Sequence, residues 1–145
     1  MTDKEKFEKL LDKKIASALR DYERKYRGPG HGKLEVSKPY DLKTDWPDRW
    51  YLAAEQGVYL IFDENKHLLY VGKASMESNL GARLSSYFQY DPNNRNKCIT
   101  NPRHDWGADK PRYVQAIAVE EPFEAPALEE YIISQLKPPA NTRGV

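Results

Sequence analysis

The sequence predicts an α+β fold, in which a small antiparallel three-stranded sheet is flanked by helices and preceded by an N-terminal amphipathic helical extension. Two short apolar runs, residues 57–62 and 67–72, stand on either side of a polar turn, as expected for a β-hairpin. A third run, residues 112–119, lies between two segments with helical spacing, which gives the order strand, strand, helix, strand, helix. A chain of 145 residues can bury one hydrophobic core without disulfides or structural metals.

Residues 1–50 are predicted to form the extension and a connection to the sheet. Thr2 and Glu5 have the spacing of a capping box, and apolar side chains then recur at helical spacing up to the RGPGHG segment. These side chains are Phe7, Leu10, Leu11, Ile15, Ala18, Leu19, Tyr22 and Tyr26. The stretch from there to about residue 50 has no clear period and is predicted to be irregular. We therefore divide the chain into residues 1–50 and a domain of residues 51–145.

The C-terminal domain is predicted to contain two helices. The first covers about residues 79–89 and places Arg83 and Tyr87 four positions apart, hence on one face, beside an apolar stripe. The second covers residues 126–136 and begins with a proline, which suits the first turn of a helix. A polar stretch rich in Asn separates the first helix from the third strand and is predicted to be a loop.

Composition excludes several classes of protein. Cys98 is the only cysteine, so the chain forms no internal disulfide and no multi-thiolate zinc site. The charged start MTDKEKFEKL does not resemble a signal peptide and no apolar run could span a bilayer, which predicts a soluble cytoplasmic protein. The formal net charge is +1, but residues 73–115 carry seven Lys or Arg against four acids. Residues 116–136 carry five acids and no base, so any electrostatic binding must be local.

The last predicted helix carries a carboxylate within its apolar arc. At about 100° per residue, Glu129 falls inside the arc, whereas Glu130 falls on the opposite face. A buried carboxylate requires a cation or a metal ion, and the alternative is that Glu129 reaches water at the edge of the stripe or pairs with Arg83. Four other glutamates are expected on solvated faces: Glu55, Glu120, Glu121 and Glu124. The three histidines have no metal-ligand spacing and receive no catalytic role: His31, His67 and His104.

Taken together, these features resemble the GIY-YIG nuclease superfamily. GVY is followed by YVG, then by an Arg-bearing helix and by a Glu-bearing helix that ends in KPPAN. The similarity covers residues 56–143, and YVGKA with RLSSYF is most similar to the N-terminal nuclease domain of the bacterial excision-repair incision subunit. The resemblance implies an active site made of Tyr59, Tyr70, Lys73, Arg83, Tyr87, Glu129 and Asn141.

Two positions depart from the pattern of that family. The spacer between Lys73 and Arg83 is about three residues longer than in the repair nuclease, which extends either the loop or the start of the helix. The aromatic residue that precedes the final Asn in the family is Ala140 here. These departures bear on the positions of Lys73 and Asn141.

The resemblance implies a metal-dependent endonuclease that hydrolyses phosphodiester bonds in DNA. One Mg²⁺ or Mn²⁺ ion bound by Glu129 would meet the charge of the phosphate, and Arg83 would contact it with a fork of donors. Tyr59 or Tyr70 would accept a proton from water, with Lys73 nearby favouring the phenolate. The sequence leaves open which tyrosine is the base, whether DNA or RNA is cut, and whether one strand or two.

Further substrate contacts are predicted in the polar stretch of residues 89–112, which is long for a connection in a compact domain. Arg95, Lys97 and Arg103 would meet phosphates, and Trp106 would either stack on a base or anchor the loop. The alternative is a solvated insertion, with the N-terminal helix or nothing supplying the extra contacts. Two other functions stay open: a non-cleaving nucleic-acid-binding module, and a scaffold whose N-terminal helix forms a homo-oligomer or binds a protein partner.

Overall fold

The computed structural model describes residue 7, residues 9–28 and residues 34–143, so the Thr2 and Glu5 capping box lies outside the described residues. In chain order the elements are α1 (Lys13–Tyr26), β1 (Glu35–Val36), β2 (Tyr40–Asp41), β3 (Gln56–Asp63), β4 (Leu68–Ala74), α2 (Leu80–Ser85), β5 (Phe88–Asp91), β6 (Asn94–Thr100), β7 (Pro111–Val119), α3 (Glu124–Leu136) and α4 (Pro139–Arg143). Within these ranges no helix is long and apolar enough to cross a membrane.

The main sheet is antiparallel and is built around the three predicted strands. The central strand β3 lies between β4 and β7, which leaves β4 at one edge of the sheet. The short strands β1 and β2 pair with the other side of β7. The α+β prediction is confirmed, while the segment predicted to be irregular adds two strands. Runs of two residues are too short to show the alternation by which strands are recognised.

The two faces of the sheet are covered by different elements. Helices α1 and α3 cover one face, where the buried cluster includes Ile15, Leu19, Val58, Leu60, Phe62, Leu128 and Ile132. Helix α2 and the β5–β6 hairpin cover the other, where the cluster includes Tyr40, Tyr59, Ile61, Leu80, Leu84, Phe88 and Trp106. Helix α1 therefore shares one core with the strands of residues 51–145.

Helix α1 begins at Lys13 and is shorter than predicted. The carboxylate of Asp12 caps it by accepting a hydrogen bond from the Lys14 amide in its first turn, at 2.8 Å. The fully buried amide of Gln115 in β7 donates to the Lys9 carbonyl at 2.8 Å and accepts from the Leu11 amide at 2.9 Å. These bonds hold the preceding turn outside the helix. Because Gln115 lies far away in the sequence, helical periodicity could not show the break.

The other differences lie between α2 and β7. Helix α2 ends at Ser85 rather than near residue 89, and the polar stretch forms the β5–β6 hairpin instead of a loop. The hairpin turns where the Asp91 carboxylate accepts a hydrogen bond from the Asn93 amide at 2.9 Å, a local turn typical of Asp. The prediction of a loop was wrong because residues 94–97 are exposed on both faces and show no apolar alternation.

Candidate active site

The β3–β4 hairpin places two tyrosines on the same face of the sheet. Tyr59 is paired with Gly72, and Ile61 is paired with Tyr70. A Cβ atom at Gly72 would lie 2.2 Å from the Cζ and hydroxyl oxygen of Tyr59. Only glycine therefore lets the Tyr59 ring lie across β4, which gives a physical reason for the glycine of the YVG sequence.

Tyr87, which follows α2, joins these two rings. Its hydroxyl is hydrogen-bonded to the hydroxyl of Tyr59 at 2.9 Å and to that of Tyr70 at 3.4 Å. Burial raises the pKa of all three phenols, that of Tyr87 to about 12. The nearby Arg83 acts in the opposite direction on each of these pKa values. Tyr59 is fully buried and Tyr87 is 3% exposed, whereas Tyr70 is partly exposed.

A cavity of about 290 Å³ opens at the edge strand β4. Arg83 reaches it from α2 on one face of the sheet, and Glu129 reaches it from α3 on the other. Side chains from both faces can meet here because, among the described residues, no further strand pairs with this edge. The lining residues are Tyr59, Tyr70, Gly72, Lys73, Ser75, Ser78, Arg83 and Glu129. The structure thus brings five of the seven predicted site residues to one cavity.

Glu129 is half-buried, while the adjacent Glu130 is exposed, as the helical phase predicts. Burial raises the pKa of Glu129, the charges of Lys73 and Arg83 lower it, and that of Glu130 raises it. Within the described part of the chain, no hydrogen bond and no ion pair engages its carboxylate. A carboxylate desolvated in this way favours a bound cation.

The donor set at the cavity fits one type of metal ion. In the described ranges no group of three or more His, Cys, Asp or Glu side chains could enclose a metal. A single carboxylate suits Mg²⁺, which keeps several waters and is often held by one or two carboxylates together with a substrate phosphate. Glu129 therefore fits such an ion, whereas a zinc site with several protein ligands does not fit.

Asn141 lies in α4 and contacts the backbone of β4 instead of lining the cavity. Its side chain accepts a hydrogen bond from the Val71 amide and donates one to the Val71 carbonyl, both at 2.8 Å. Val71 stands between Tyr70 and Gly72, on the unpaired edge of the sheet. Asn141 therefore fixes the strand that carries the site, in the place of a neighbouring strand.

The longer spacer before α2 contributes to the cavity. It forms a turn in which the Ser78 amide donates to the Ser75 carbonyl at 3.1 Å, and both serines line the cavity. The side-chain amide of Gln56 donates to the carbonyls of Met76 and Ser78 and holds this turn. The extra residues thus lengthen the loop and not the helix. Sequence reasoning gave these serines no role, although their position just after YVGKA was a usable signal.

The cations predicted to bind substrate are exposed. Arg95 and Lys97 project from β6, and Arg103 lies in the loop that follows. A neighbouring cation, Arg112, is instead held by both carboxylate oxygens of Asp41, at 2.6 and 3.0 Å. This contact lowers the pKa of Asp41 to about 2. Arg112 thus has a structural role, whereas the side chains of Arg95, Lys97 and Arg103 are accessible to a substrate.

Two side chains of the following loop pack behind the tyrosines. Trp106 is 5% exposed and meets the Tyr70 ring edge-on, with 5.9 Å between the ring centroids. Of its two predicted roles, this burial fits the anchoring of the loop. His104 is stacked on Tyr87 at 4.2 Å. No role for His104 could be predicted from the sequence, because only the path of the loop brings this side chain next to Tyr87.

Comparison with known proteins shows the family to which this chain belongs. A family model described as the UvrC-like GIY-YIG domain matches residues 55–142, a range that contains all seven predicted site residues. The chain is 38% identical over 90 residues to the UvrABC system protein C of Wolinella succinogenes and 40% identical over 95 residues to that of Helicobacter pylori J99. Each alignment covers 62% of this chain but only 14% or 15% of the relative, so the chain corresponds to a small part of these proteins.

Proposed function

Because the chain belongs to the family of UvrC-like GIY-YIG domains, we propose that it is a metal-dependent endonuclease that hydrolyses phosphodiester bonds in DNA. Family membership supports a role in DNA cleavage in general terms. The observation that carries the finer statement is the convergence of Glu129, Arg83 and the tyrosines on one cavity. Hydrolysis of a phosphodiester needs one group that binds the phosphate, one that accepts a proton and one that holds a cation.

Arg83 and Lys73 are the cations of the cavity. The guanidinium of Arg83 offers a planar fork of donors to the nonbridging oxygens of the scissile phosphate, where charge develops during attack. The ammonium of Lys73 adds a second positive charge and contacts the Ser75 hydroxyl at 3.4 Å. Together they bind an anionic substrate beside a carboxylate that would otherwise repel it.

A tyrosine accepts the proton of the attacking water in this proposal. Tyr70 is partly exposed and therefore accessible to water, whereas Tyr59 is fully buried beneath β4. Only the phenolate of Tyr70 can accept this proton, so the phenol first loses its own proton to solvent, and the proton from the attacking water then restores the phenol. Burial raises the pKa of Tyr70 and opposes this ionisation, whereas the positive charge of Arg83 lowers that pKa and favours it. Tyr59 and Tyr87 hold the Tyr70 hydroxyl in place through the chain of hydrogen bonds.

Glu129 would hold one Mg²⁺ or Mn²⁺ ion. Asn141 would act indirectly, by fixing the backbone of β4, the strand that carries Tyr70 and Lys73. The ion, when bound, neutralises charge on the phosphate and stabilises the leaving 3′ oxygen. The raised pKa of Glu129 and its lack of a partner in the described residues support this assignment.

A cleavage assay on labelled duplex and single-stranded DNA tests the function. We expect cleavage with Mg²⁺ or Mn²⁺, loss of cleavage with EDTA, and recovery when metal is restored in excess. DNA binding without cleavage under all of these conditions would support a non-cleaving binding module instead. Metal-independent hydrolysis would contradict the assignment of Glu129.

A further inference from the structure

The loop of residues 101–106 returns from β6 to the tyrosines of the cavity. The Asn101 backbone amide donates to the Tyr87 carbonyl at 2.7 Å, and its side-chain amide donates to the Ser86 carbonyl at 3.2 Å. The His104 amide donates to the Asn101 carbonyl at 3.0 Å, which closes a turn. The loop is therefore fastened to the backbone segment that carries Tyr87.

The His104 imidazole continues this attachment. Its Nε2 atom lies 3.1 Å from the Ser86 carbonyl oxygen. Because a carbonyl oxygen only accepts, Nε2 carries a proton in this contact. The imidazole is stacked on the Tyr87 ring with 4.2 Å between centroids and 25° between planes. His104 does not line the cavity, so it contacts Tyr87 and not the substrate.

The position of the Tyr87 ring determines where the hydroxyls of Tyr59 and Tyr70 are held. Its hydroxyl is the link between the hydroxyls of Tyr59 and Tyr70, at 2.9 and 3.4 Å. A tilt of the Tyr87 ring would therefore shift both phenols. Displacing a catalytic group by about 1 Å can cost on the order of a hundredfold in rate. A flat ring stacked on Tyr87 opposes this tilt.

We propose that His104 is a positioning residue for the cleavage reaction. Its imidazole, fixed by the Ser86 carbonyl, holds the Tyr87 ring by stacking and through it orients the hydroxyls of Tyr59 and Tyr70. This inference rests on the proposed nuclease function. The role requires a planar ring and not a change in the protonation of the imidazole, so an aromatic substitute retains it.

Three substitutions separate the ring from the hydrogen bond: His104→Ala, His104→Phe and His104→Gln. At saturating DNA we expect the Ala and Gln variants to cut about tenfold more slowly. A loss of this size matches the energy of one aromatic pair and the rate cost of a slightly displaced catalytic phenol. Their KM should stay within about twofold, because substrate does not touch this side chain. His104→Phe, which keeps a flat ring, should recover most of the rate.

His67→Ala is the matched control, since the His67 side chain is 76% exposed and contacts Asp63 in its own hairpin. A second readout needs no cleavage: the His104 ring protons should show an upfield NMR shift from the Tyr87 ring, and Tyr87→Leu should remove it. The shift and the Phe rescue together support the proposal.

Wild-type rates in His104→Ala, or equal losses in the Phe and Gln variants, would overturn it. If the Ala variant does not fold, the Phe and Gln variants decide. A wild-type protein that cuts no DNA would contradict the proposed function itself, and the inference would fall with it. Active wild type beside an unaffected His104→Ala contradicts the inference alone.

Discussion

Two partly buried glutamates of helix α3 have opposite surroundings. The Glu124 carboxylate accepts a hydrogen bond from the Tyr22 hydroxyl at 2.9 Å and lies 2.6 Å from Nε of Arg27. The side chains of Glu124 and Arg27 are only 13% and 6% exposed. Glu129, one turn further along, has neither kind of partner in the described residues, and burial raises its pKa. The carboxylate at the start of the helix is therefore paired by other residues of the protein, whereas the carboxylate in its middle has no such partner among the described residues.

The difference distinguishes a carboxylate that stabilises the fold from one that is available for chemistry. Glu124 joins α3 to the end of α1, because Arg27 is the C-cap residue of α1. Removing one member of such a pair leaves a buried charge and is costly. Glu129 faces the cavity at β4 instead, where a cation and a phosphate would supply the missing partners. Substitutions at the two positions should therefore affect different properties.

Cleavage by the Glu129→Gln variant is expected to fall below detection, the largest effect of the series. The substitution removes the proposed metal ligand and one charge but hardly changes volume, so folding and DNA affinity should persist. Cleavage rate, circular dichroism and DNA binding measure the three properties. Glu130→Gln is the matched control and should be nearly neutral, because Glu130 is exposed. If Glu130 were essential and Glu129 dispensable, the contrast drawn for α3 would be wrong.

Arg83→Ala and Tyr70→Phe should each reduce the cleavage rate about a hundredfold or more. Arg83 is an oriented donor at the transition state, worth about 3 kcal/mol, and Tyr70 is the proposed general base, whose loss typically costs about a hundredfold or more. Neither change should lower the melting temperature as much as a change at Glu124, because both side chains face the cavity. Single-turnover rates at saturating DNA give the effect. Tyr59→Phe with a larger loss than Tyr70→Phe would make Tyr59 the base.

Glu124→Gln should act on stability and not on the rate of the folded protein. It removes the closer of the two carboxylates beside the Arg27 guanidinium and leaves only Glu23, 3.8 Å away, so we expect a loss of about 2 kcal/mol in the free energy of unfolding. Urea denaturation measures this loss. Tyr22→Phe, which removes only the hydrogen bond, should cost about 1 kcal/mol. An unchanged midpoint for Glu124→Gln would show that this pair adds nothing to the fold.

The burial of Glu129 was predicted correctly and that of Glu124 was not, for the same physical reason. Helical phase reports how a residue stands relative to its own helix, so it placed Glu129 within the apolar arc and Glu130 outside it. It does not report what a distant helix contributes, so Glu124 was wrongly expected on a solvated face while Arg27 covers it. The break before α1, fixed by Gln115, was missed for the same reason.

At the site, the seven residues proposed to carry the chemistry could be predicted through the resemblance to a nuclease family, and the structure places five of them around one cavity. Supporting residues were not accessible in this way. Asn141 was expected at the active site, and its contact with the Val71 backbone depends on how α4 meets β4. The stacking of His104 depends on a loop without regular structure.

Exposed cations form a third group, which should affect neither chemistry nor stability. The combined change Arg95→Gln, Lys97→Gln and Arg103→Gln should weaken DNA binding about tenfold and reduce the salt slope by up to about 2.7, or 0.9 per phosphate contact. Cleavage at saturating DNA should stay nearly unchanged. Binding isotherms at several salt concentrations give both numbers.

The matched control for these cations lies on α1. Deleting residues 1–27 would remove core side chains such as Ile15 and Leu19, so it does not test binding alone. The better control replaces three exposed cations of that helix: Lys13→Gln, Lys14→Gln and Arg20→Gln. A larger loss of affinity in this control than in the hairpin variant would move the DNA-binding surface to α1.

The smallest predicted effect is on melting temperature: replacing Glu129 by Gln should stabilise the protein, whereas replacing Glu124 should destabilise it. Burial raises the pKa of Glu129 above its ordinary value of 4.5, so the folded protein holds this proton more tightly than the unfolded chain. The ionised carboxylate therefore destabilises the fold as pH rises above about 4.5, and fully so above the raised pKa. Glu129→Gln should melt a few degrees higher than wild type at pH 8 and equally at pH 4. Millimolar Mg²⁺ at pH 8 should narrow the gap by binding only the wild type. A lower melting temperature for Glu129→Gln at pH 8 would mean that the protein itself satisfies Glu129 as it does Glu124, and the two carboxylates would then share one structural role.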